Sequence, residues 1–270
     1  MKTAATLDDA AGLGKRDVFD LEAAYQAHID GLKSENRQGH FHPSAVGMCG
    51  RRNVYEYIRA PMDVDAVPGD LQEIFDLGHA IHDIVQRRFE AMIQELTTDT
   101  LTFRFQREVP HDPATDWLRL EFGIGGTCDG VVEIEGPGWK QRGILEVKSI
   151  ADDGFNKLTG PKAEHVDQAH IYALRFDCPI MWIWYYNKNR SKRRVFAVVF
   201  DAERAQRILN KYMGWLQHVS AGTLSEREES RFACPDCAYF EICKPKIKGL
   251  QPRRAPVPVR RLTVFNKARP

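Results

Sequence analysis

The spacing of apolar residues along the chain changes near Leu101, and this change constrains the fold more than any other feature of the sequence. Before Leu101, apolar side chains recur every three or four positions, which is typical of amphipathic helices. From Leu101 to Val109, apolar and polar residues alternate, which is typical of a half-buried strand. A chain that passes from the helical to the strand period predicts an α/β fold.

The same patterns predict where the individual elements lie. Three helices are predicted in the first part of the chain: residues 20–33, a segment that begins near Pro43 and is stopped by Pro61, and a segment that follows Pro68-Gly69. We therefore expect a small mixed sheet with helices on its faces. Beyond the first strand, the predicted strands are residues 118–125, 128–135, 143–149, 180–186 and 194–200, and the predicted helices are residues 163–176 and 202–219.

The length and composition of the chain predict one domain. With 270 residues, of which 43% are hydrophobic, the chain can bury a sizeable core. We expect a single domain over residues 21–249, preceded by a poorly ordered start at residues 1–20. It is followed by a basic tail over residues 250–270. Residues 244–270 contain nine Lys or Arg and no Asp or Glu, a charge pattern that suits a polyanion or a solvated tail.

The sequence carries no signal for a membrane. No apolar stretch approaches the ~20 residues that a membrane helix needs, and the start of the chain lacks the pattern of a secretory signal peptide. We therefore expect a cytoplasmic protein with no membrane partner. In such a reducing compartment, metal binding or simple burial explains the six cysteines better than disulfides do.

Two neighbouring predicted strands carry acidic residues. Asp129 follows Cys128 at the start of one of them, and Glu146-Val147-Lys148 lies near the end of the other, which is otherwise apolar. Residues two apart in a strand point to the same face, so Glu146 and Lys148 should project together. A divalent ion held by Asp129 and Glu146 would explain charges inside so apolar a strand. Lys148 would then assist a water molecule that attacks a phosphate. A surface strand with Glu and Lys two apart is the common alternative.

Two further motifs surround these residues in order. Gly78 and His82 form a Gly-x-x-x-His motif on the helix before the sheet, and Gln168 and Tyr172 form a Gln-x-x-x-Tyr motif on the helix after the Glu-x-Lys strand. Together with Asp129 and Glu146-x-Lys148, this order resembles the RecB-like branch of the PD-(D/E)XK nuclease superfamily.

That resemblance implies a restriction-endonuclease-like core and metal-dependent hydrolysis of DNA. It implies that His82 is a third metal ligand beside Asp129 and Glu146, and that Gln168 and Tyr172 line the catalytic site. Because imidazole favours the later divalent metals, Mn²⁺ is as plausible as Mg²⁺. His165 and His170, on or near the same helix as Gln168, receive no predicted role. His82 and Tyr172, each taken alone, would more often be ordinary packed residues.

Three cysteines lie within ten residues near the C-terminus. Cys234, Cys237 and Cys243 form a C-x₂-C-x₅-C motif, and a tetrahedral zinc site would need a fourth ligand from elsewhere in the chain. Cys128 and Cys178 are well explained as small buried residues. With Cys49 as the fourth thiol, the pattern resembles the iron–sulfur nucleases of the RecB-like group, such as AddB-type and CRISPR-associated adaptation nucleases. That resemblance implies a [4Fe–4S] cluster joining the N-terminal helical part to the C-terminal segment. Zinc, or four unrelated cysteines, are the alternatives.

Basic residues suggest where DNA would run. The segment 188–194 carries five basic residues between two predicted strands, and two arginines follow Cys49. Aromatic residues over 182–186 would stack on bases or pack in the core. The predicted DNA-binding residues are Arg51, Arg52, Lys188, Arg190, Lys192, Arg193 and Arg194.

The resemblance also bears on substrate and partners. It implies an exonuclease that acts on single-stranded DNA or DNA ends, of a kind frequent in phages and CRISPR systems. The chain has no Walker A motif, so we expect no ATPase activity and, at most, a separate helicase, recombinase or CRISPR partner. The alternative function is a nucleic-acid-binding module that keeps the nuclease fold without turnover.

Overall fold

The computed structural model describes residues 20–30, 39–62, 69–109, 112–231 and 233–252. The predicted N-terminal segment and basic tail therefore lie almost wholly outside the described residues. The chain divides into two compact units, one of Met1–Ser34 with Asp65–Phe75 and one of Glu35–Val64 with Asp76–Pro270. In the first unit, the hydroxyl of Tyr25 donates to Glu73 over 2.7 Å. The second unit contains the sheet and the predicted site residues.

The described residues form helices and strands in an order that agrees with the predicted α/β pattern. Single 3₁₀ turns lie at Pro43–Ala45 and Cys234–Asp236. The helices are α1 (Leu21–Asp30), α2 (Gly50–Tyr57), α3 (Gly69–Leu96), α4 (Trp117–Phe122), α5 (Asp152–Asn156), α6 (Ala163–Arg175), α7 (Ala202–Ala221) and α8 (Phe240–Cys243). The strands are β1 (Thr102–Arg107), β2 (Gly130–Gly136), β3 (Trp139–Ile150), β4 (Ile180–Asn187) and β5 (Arg193–Val199).

The five strands form one mixed sheet in the order β1-β2-β3-β4-β5. Only β3 and β4 run parallel, because α5 and α6 lie between them in the chain and return it to the same edge of the sheet. A two-residue turn joins β2 to β3, and Gly138 in that turn has a φ of 76°, which favours glycine. The predicted mixed sheet flanked by helices is confirmed.

Each face of the sheet packs against a different helix. On one face, Ile144 of β3 belongs to a cluster that includes Ala169 and Tyr172 of α6. On the other face, Leu145 and Val147 pack with residues of α3. Because side chains alternate along a strand, Glu146 and Lys148 share the face of Ile144 and point towards α6. A third cluster joins α6 to α2 and α7, so α6 is packed on two sides.

Residues 118–125 were predicted as a strand, and this prediction is wrong. The segment forms α4, in which Leu118 and Phe122 turn inward four residues apart while Leu120 is 64% exposed. Apolar residues at every second position fit both patterns over so short a segment, and Gly123, with a φ of 68°, ends the helix. Within the segment predicted as a strand, Ile124 forms an isolated β-bridge with Phe41.

The predicted helix from Pro43 to Pro61 is interrupted. The 3₁₀ turn at Pro43–Ala45 is separated from α2 by residues 46–49, and Cys49 stands at the N-cap of α2. Within the described parts of the chain, no helix is long and apolar enough to cross a membrane.

Candidate functional site

Asp129 connects α3 to the sheet. It lies directly before β2, and its Oδ2 accepts a hydrogen bond from the backbone N–H of Val147 over 2.6 Å. Its Oδ1 lies 3.0 Å from Nδ1 of His82 on α3. Its backbone carbonyl accepts from the side-chain amide of Gln86 over 2.8 Å. Three contacts on one residue hold the carboxylate in a defined position between β3 and α3.

Gln86 is a residue that the sequence analysis missed. It is only 1% exposed, and it lies one helical turn after His82, so both side chains reach Asp129 from the same helix face. The signal was present, since a Gln four residues after the predicted ligand would share its face. The Oε1 atom of Gln86 is buried without a hydrogen-bond partner among the described residues.

His82 is drawn towards its charged form by its neighbours. Burial favours the neutral imidazole, but the hydrogen bond to Asp129 and the negative charge of Asp129 outweigh it and raise the pKa of His82. The imidazole therefore donates its Nδ1 proton to the carboxylate. A divalent cation near Asp129 would compete with this proton for the same atoms.

Glu146, Lys148 and Gln168 form the second part of the site. Lys148 lies on β3 two residues after Glu146, and its Nζ is 2.7 Å from Oε1 of Glu146. The same ammonium donates to Oε1 of Gln168 on α6 over 2.8 Å. The prediction that Glu146 and Lys148 share a face is confirmed, and Gln168 meets them from the helix that covers that face.

Glu146 is the more deeply buried of the two carboxylates. It is 1% exposed, and its Oε2 atom is buried without a hydrogen-bond partner among the described residues. Burial raises the pKa of Glu146 to about 7, against the opposing effect of the Lys148 ammonium. An ionised carboxylate oxygen with no donor is costly inside a protein, so this atom can accept a proton or a cation.

Tyr172 belongs to the core next to these carboxylates. It is buried in the cluster with Ile144, and burial, followed by the charges of Glu146 and Asp129, raises its pKa well above the usual range. Its hydroxyl is close to Gly126, where an added Cβ would stand 3.4 Å away. The phenol therefore stays protonated, and Tyr172 is a packed core residue.

Arg175 holds the loop before Asp129, and sequence reasoning missed it as well. Its guanidinium forms a buried ion pair with Asp116 at 2.9 Å and donates to the carbonyl oxygens of Gly126 and Ile124 at 2.7 and 3.1 Å. Arg175 lies one turn after Tyr172 on α6. One helix thus supplies Gln168 at Lys148, Tyr172 beside the carboxylates, and Arg175 at the loop that leads into Asp129.

The donor set of this site is that of a hard or borderline divalent ion. Carboxylate oxygens of Asp129 and Glu146 and the imidazole nitrogen of His82 are ligands that Mg²⁺ or Mn²⁺ accepts. Among the residues that the structure describes, however, no three His, Cys, Asp or Glu side chains are arranged so that they could hold a metal ion. His82 and Asp129 face each other, and Glu146 faces Lys148.

The four predicted cluster cysteines line one cavity of about 390 Å³. Cys49 reaches it from the N-cap of α2, and Cys234, Cys237 and Cys243 reach it from the 3₁₀ turn and α8. All four are free and partly exposed. The cavity is therefore bounded by residues that are almost two hundred positions apart in the sequence.

Hydrogen bonds hold the two walls of the cavity together. The backbone N–H of Gly50 donates to Glu228 over 3.0 Å, and Nε of Arg51 donates to the carbonyl oxygen of Ser225 over 2.7 Å. Burial raises the pKa values of Cys237 and Cys243, and the other cysteines raise them further. Four thiolates around one cavity would repel one another, so a positively charged partner would be needed to hold them all ionised.

The two remaining cysteines are core residues. Cys128 and Cys178 are buried in the cluster around Ile144. Burial raises the pKa of Cys128 to about 12 and that of Cys178 to about 11. The prediction that they are small buried residues is confirmed.

The predicted DNA-binding residues have different surroundings. Among the described residues, Lys188, Lys192 and Arg193 take part in no ion pair and stand partly or fully exposed. The remaining four are engaged with the protein. Arg190 pairs with Asp152 at 3.1 Å, Arg52 pairs with Glu56 at 2.8 Å, Arg51 bonds the carbonyl of Ser225, and Arg194 donates to the carbonyl oxygens of Phe155 and Leu158.

The basic turn after β4 is anchored at the end of β3. The backbone N–H of Lys188 donates to the carbonyl oxygen of Ile150 over 3.0 Å, and the side chain of Asn187 donates to Asp152 over 2.8 Å. Ile150 lies two residues beyond Lys148, so the turn begins at the same end of strands β3 and β4 as the site. Of the aromatic residues over 182–186, Tyr185 is fully buried, whereas Trp182, Trp184 and Tyr186 are half-buried against the α3 face.

Comparison with solved structures gives remote likenesses. No protein-family model matches the chain, and no curated protein matches it. The crystal structure of SSO0001 is similar over 83% of this chain and 93% of its own, at 17% identity and a TM-score of 0.40. An alkaline exonuclease from Laribacter hongkongensis is similar over 69% and 90%, at 14% identity and a TM-score of 0.47. Its complex with dAMP gives 74% and 93%, 14% identity and 0.46. At these scores the likenesses assign neither a family nor an activity to this chain.

Proposed function

We propose that this chain is a metal-dependent nuclease that hydrolyses phosphodiester bonds of DNA at the site of His82, Asp129, Glu146 and Lys148. The observation that carries the proposal is the buried Oε2 of Glu146, which has no hydrogen-bond partner among the described residues. A carboxylate kept in such a place beside a second carboxylate and an imidazole is best explained by a cation that binds them together.

The residues would divide the work as follows. Asp129, Glu146 and His82 would hold Mg²⁺ or Mn²⁺, with the His82–Asp129 hydrogen bond giving way when the ion binds. When bound, such an ion polarises a phosphoryl oxygen and lowers the pKa of water. Lys148 would orient the attacking water and stabilise charge on the phosphate. Gln168 would keep the Lys148 ammonium in place through its 2.8 Å contact.

Nucleic acid is the substrate class that the surroundings favour. The basic turn with Lys188, Lys192 and Arg193 starts at the end of strands β3 and β4 that carries Lys148. Exposed cations at this position suit a phosphate backbone, because each neutralised phosphate releases counterions. From the family resemblance of the motifs, we propose that single-stranded DNA or DNA ends are attacked in preference to internal sites.

We also propose that Cys49, Cys234, Cys237 and Cys243 hold a [4Fe–4S] cluster. In support, the four thiols line one cavity, whereas the other two cysteines are buried elsewhere in the core. Four thiolates are the ligand set of such a cluster. Its role would be structural, since it would join α2 to the C-terminal segment across a long loop of chain.

A cleavage assay tests the enzymatic proposal. The purified protein is incubated with end-labelled single- and double-stranded DNA in the presence of Mg²⁺, Mn²⁺ or a chelator. The expected result is metal-dependent release of nucleotides from an end. Asp129→Ala should abolish it, and Asp153→Ala, at a side chain that is 95% exposed, should leave it unchanged.

The assay also separates the alternative function. A protein that binds DNA equally well with and without metal, and cleaves none of the substrates, would be a binding module with no catalytic role. Release of internal fragments only would support the nuclease activity and contradict the proposed preference for DNA ends.

A further inference from the structure

His165 forms a chain of hydrogen bonds with Tyr185 and the backbone of Lys162. The hydroxyl of Tyr185 accepts the backbone N–H of Lys162 over 2.9 Å, and it lies 2.8 Å from Nδ1 of His165. Tyr185 is 0% exposed, so its hydroxyl proton must find an acceptor inside the protein. Among the described residues, Nδ1 of His165 is the acceptor within reach.

This arrangement selects one tautomer of His165. If Nδ1 accepts the proton of Tyr185, the neutral imidazole carries its own hydrogen on Nε2. The opposite assignment would give the phenol oxygen two donors and leave its buried O–H without an acceptor. Burial, together with the charges of Lys148 and Lys162, lowers the pKa of His165 to about 3. The ring is therefore neutral and presents an Nε2–H donor.

The imidazole of His165 lies close enough to Lys148 for the charge of that ammonium to contribute to lowering its pKa. His165 precedes Gln168 by one turn of α6, and Gln168 accepts from Lys148. Tyr185 is directly opposite Lys148 in the β3–β4 pair. No described residue forms a hydrogen bond with Nε2 of His165, and the side chain is half-exposed. The phenol of Tyr185 thus fixes the orientation of the imidazole while its outer nitrogen stays available.

We propose that His165 contacts the substrate, with its Nε2–H donating to a non-bridging oxygen of the phosphate that lies at Lys148. The inference rests on the proposed nuclease function and adds to it a neutral donor beside the Lys148 cation. A neutral donor is suited to this position because it adds no charge next to Lys148. Its directional hydrogen bond would position the phosphate oxygen, and the imidazole is already oriented before the substrate binds.

Two substitutions separate contact with substrate from packing. His165→Asn keeps an acceptor near Nδ1 for Tyr185 and removes the donor at Nε2, whereas His165→Gln places an amide N–H near the position of Nε2. We expect His165→Asn to lower kcat on the order of 100-fold, as does loss of one positioned donor to a reacting oxygen, with little change in KM. His165→Gln should recover most of the rate. His218→Asn, at a half-buried histidine near the end of α7, is the matched control.

The outcomes distinguish this inference from the function on which it rests. Wild-type rates in His165→Asn, with Asp129→Ala inactive, would overturn the role of His165 and keep the nuclease. Equal losses of activity and of melting temperature in the Asn and Gln variants would show packing alone and would also overturn it. A wild-type protein without metal-dependent cleavage would overturn the nuclease, and the role of His165 with it.

Discussion

The ammonium of Lys148 donates a hydrogen bond to Oε1 of Gln168 over 2.8 Å, and this contact ties the central strand β3 to helix α6. The same ammonium touches the buried carboxylate of Glu146 at 2.7 Å. A flexible lysine side chain is thereby held between two fixed oxygens. Such a contact lowers the entropy that Lys148 must lose on meeting a substrate.

Removing the amide of Gln168 should therefore reduce activity more than stability. In Gln168→Leu the Lys148 ammonium keeps Glu146 but loses its second anchor, and we expect kcat to fall about 10- to 100-fold, as for other residues that orient a reacting group. Gln206→Leu, at an exposed glutamine of α7, is the matched control. The measurement is the steady-state cleavage rate together with the melting temperature. An unchanged kcat in Gln168→Leu would contradict a positioning role.

Glu146 predicts a pH-dependent stability for the metal-free protein. Burial raises its pKa from 4.5 to about 7, so between these values the folded chain holds a proton that the unfolded chain has released. The unfolded state then binds fewer protons, and the free energy of unfolding must fall as the pH rises through this window. The contribution is complete below about pH 4.5 and is lost above about pH 7.

Thermal unfolding in a chelator across this window measures the effect. Glu146→Gln should flatten the fall in melting temperature, whereas Glu135→Gln, at a half-exposed side chain of β2, should not. Added Mg²⁺ or Mn²⁺ should stabilise the wild type most at the upper end of the window and should leave Glu146→Gln little changed. A metal effect of equal size in both proteins would remove Glu146 from the proposed ligands.

Substitution of the cysteines tests the proposed cluster, and Cys178 in the core provides the control. Cys49→Ser and Cys237→Ser should each lose the brown colour, the bound iron and several degrees of melting temperature, since each removes a thiolate from the shared cavity. Cys178→Ser changes a cysteine of the core and should retain the iron. Iron and zinc are measured on protein prepared without oxygen. A colourless wild-type protein with one zinc per chain would contradict the iron–sulfur cluster and would indicate a zinc site at these cysteines.

Local periodicity was enough to predict the elements that bear the site. Glu146 and Lys148 share a face because any strand places residues two apart on the same side. Gln168 and Tyr172 share a helix face for the analogous reason. These relations hold within one element, and the sequence contains them without any knowledge of how the elements pack.

The contacts between different helices and strands could not be predicted from the sequence. Asp129 is held by the N–H of Val147, and Arg175 is held by the carbonyl oxygens of Ile124 and Gly126. Every residue offers such backbone groups, so no pattern of side chains marks the partner. The helix α4 was mistaken for a strand because Leu118, Leu120 and Phe122 alternate, and only packing decides which of them is buried. Gly123 at the helix end was the available signal.

The buried pair of Arg175 and Asp116 predicts the largest loss of stability. Arg175→Met removes the guanidinium that pairs with the buried Asp116 carboxylate and with two loop carbonyls, so we expect a loss of about 3 to 5 kcal/mol in the free energy of unfolding. The double variant Asp116→Asn, Arg175→Met should lose less, because it removes the buried negative charge together with the guanidinium. Arg207→Met, at an exposed arginine of α7, is the control and should stay within about 0.5 kcal/mol of the wild type.

Denaturant unfolding of the four proteins measures these differences, and cleavage at a temperature where all are folded measures the consequence for the site. Arg175 holds the loop of Ile124 and Gly126 that leads into Asp129. Its loss should therefore lower activity in the folded protein, and the double variant should recover stability without recovering the rate, because the loop carbonyls still lack their donor. Recovery of both in the double variant would show that the Asp116 charge left behind in Arg175→Met, and not the loss of the contacts to the loop carbonyls, had lowered the rate.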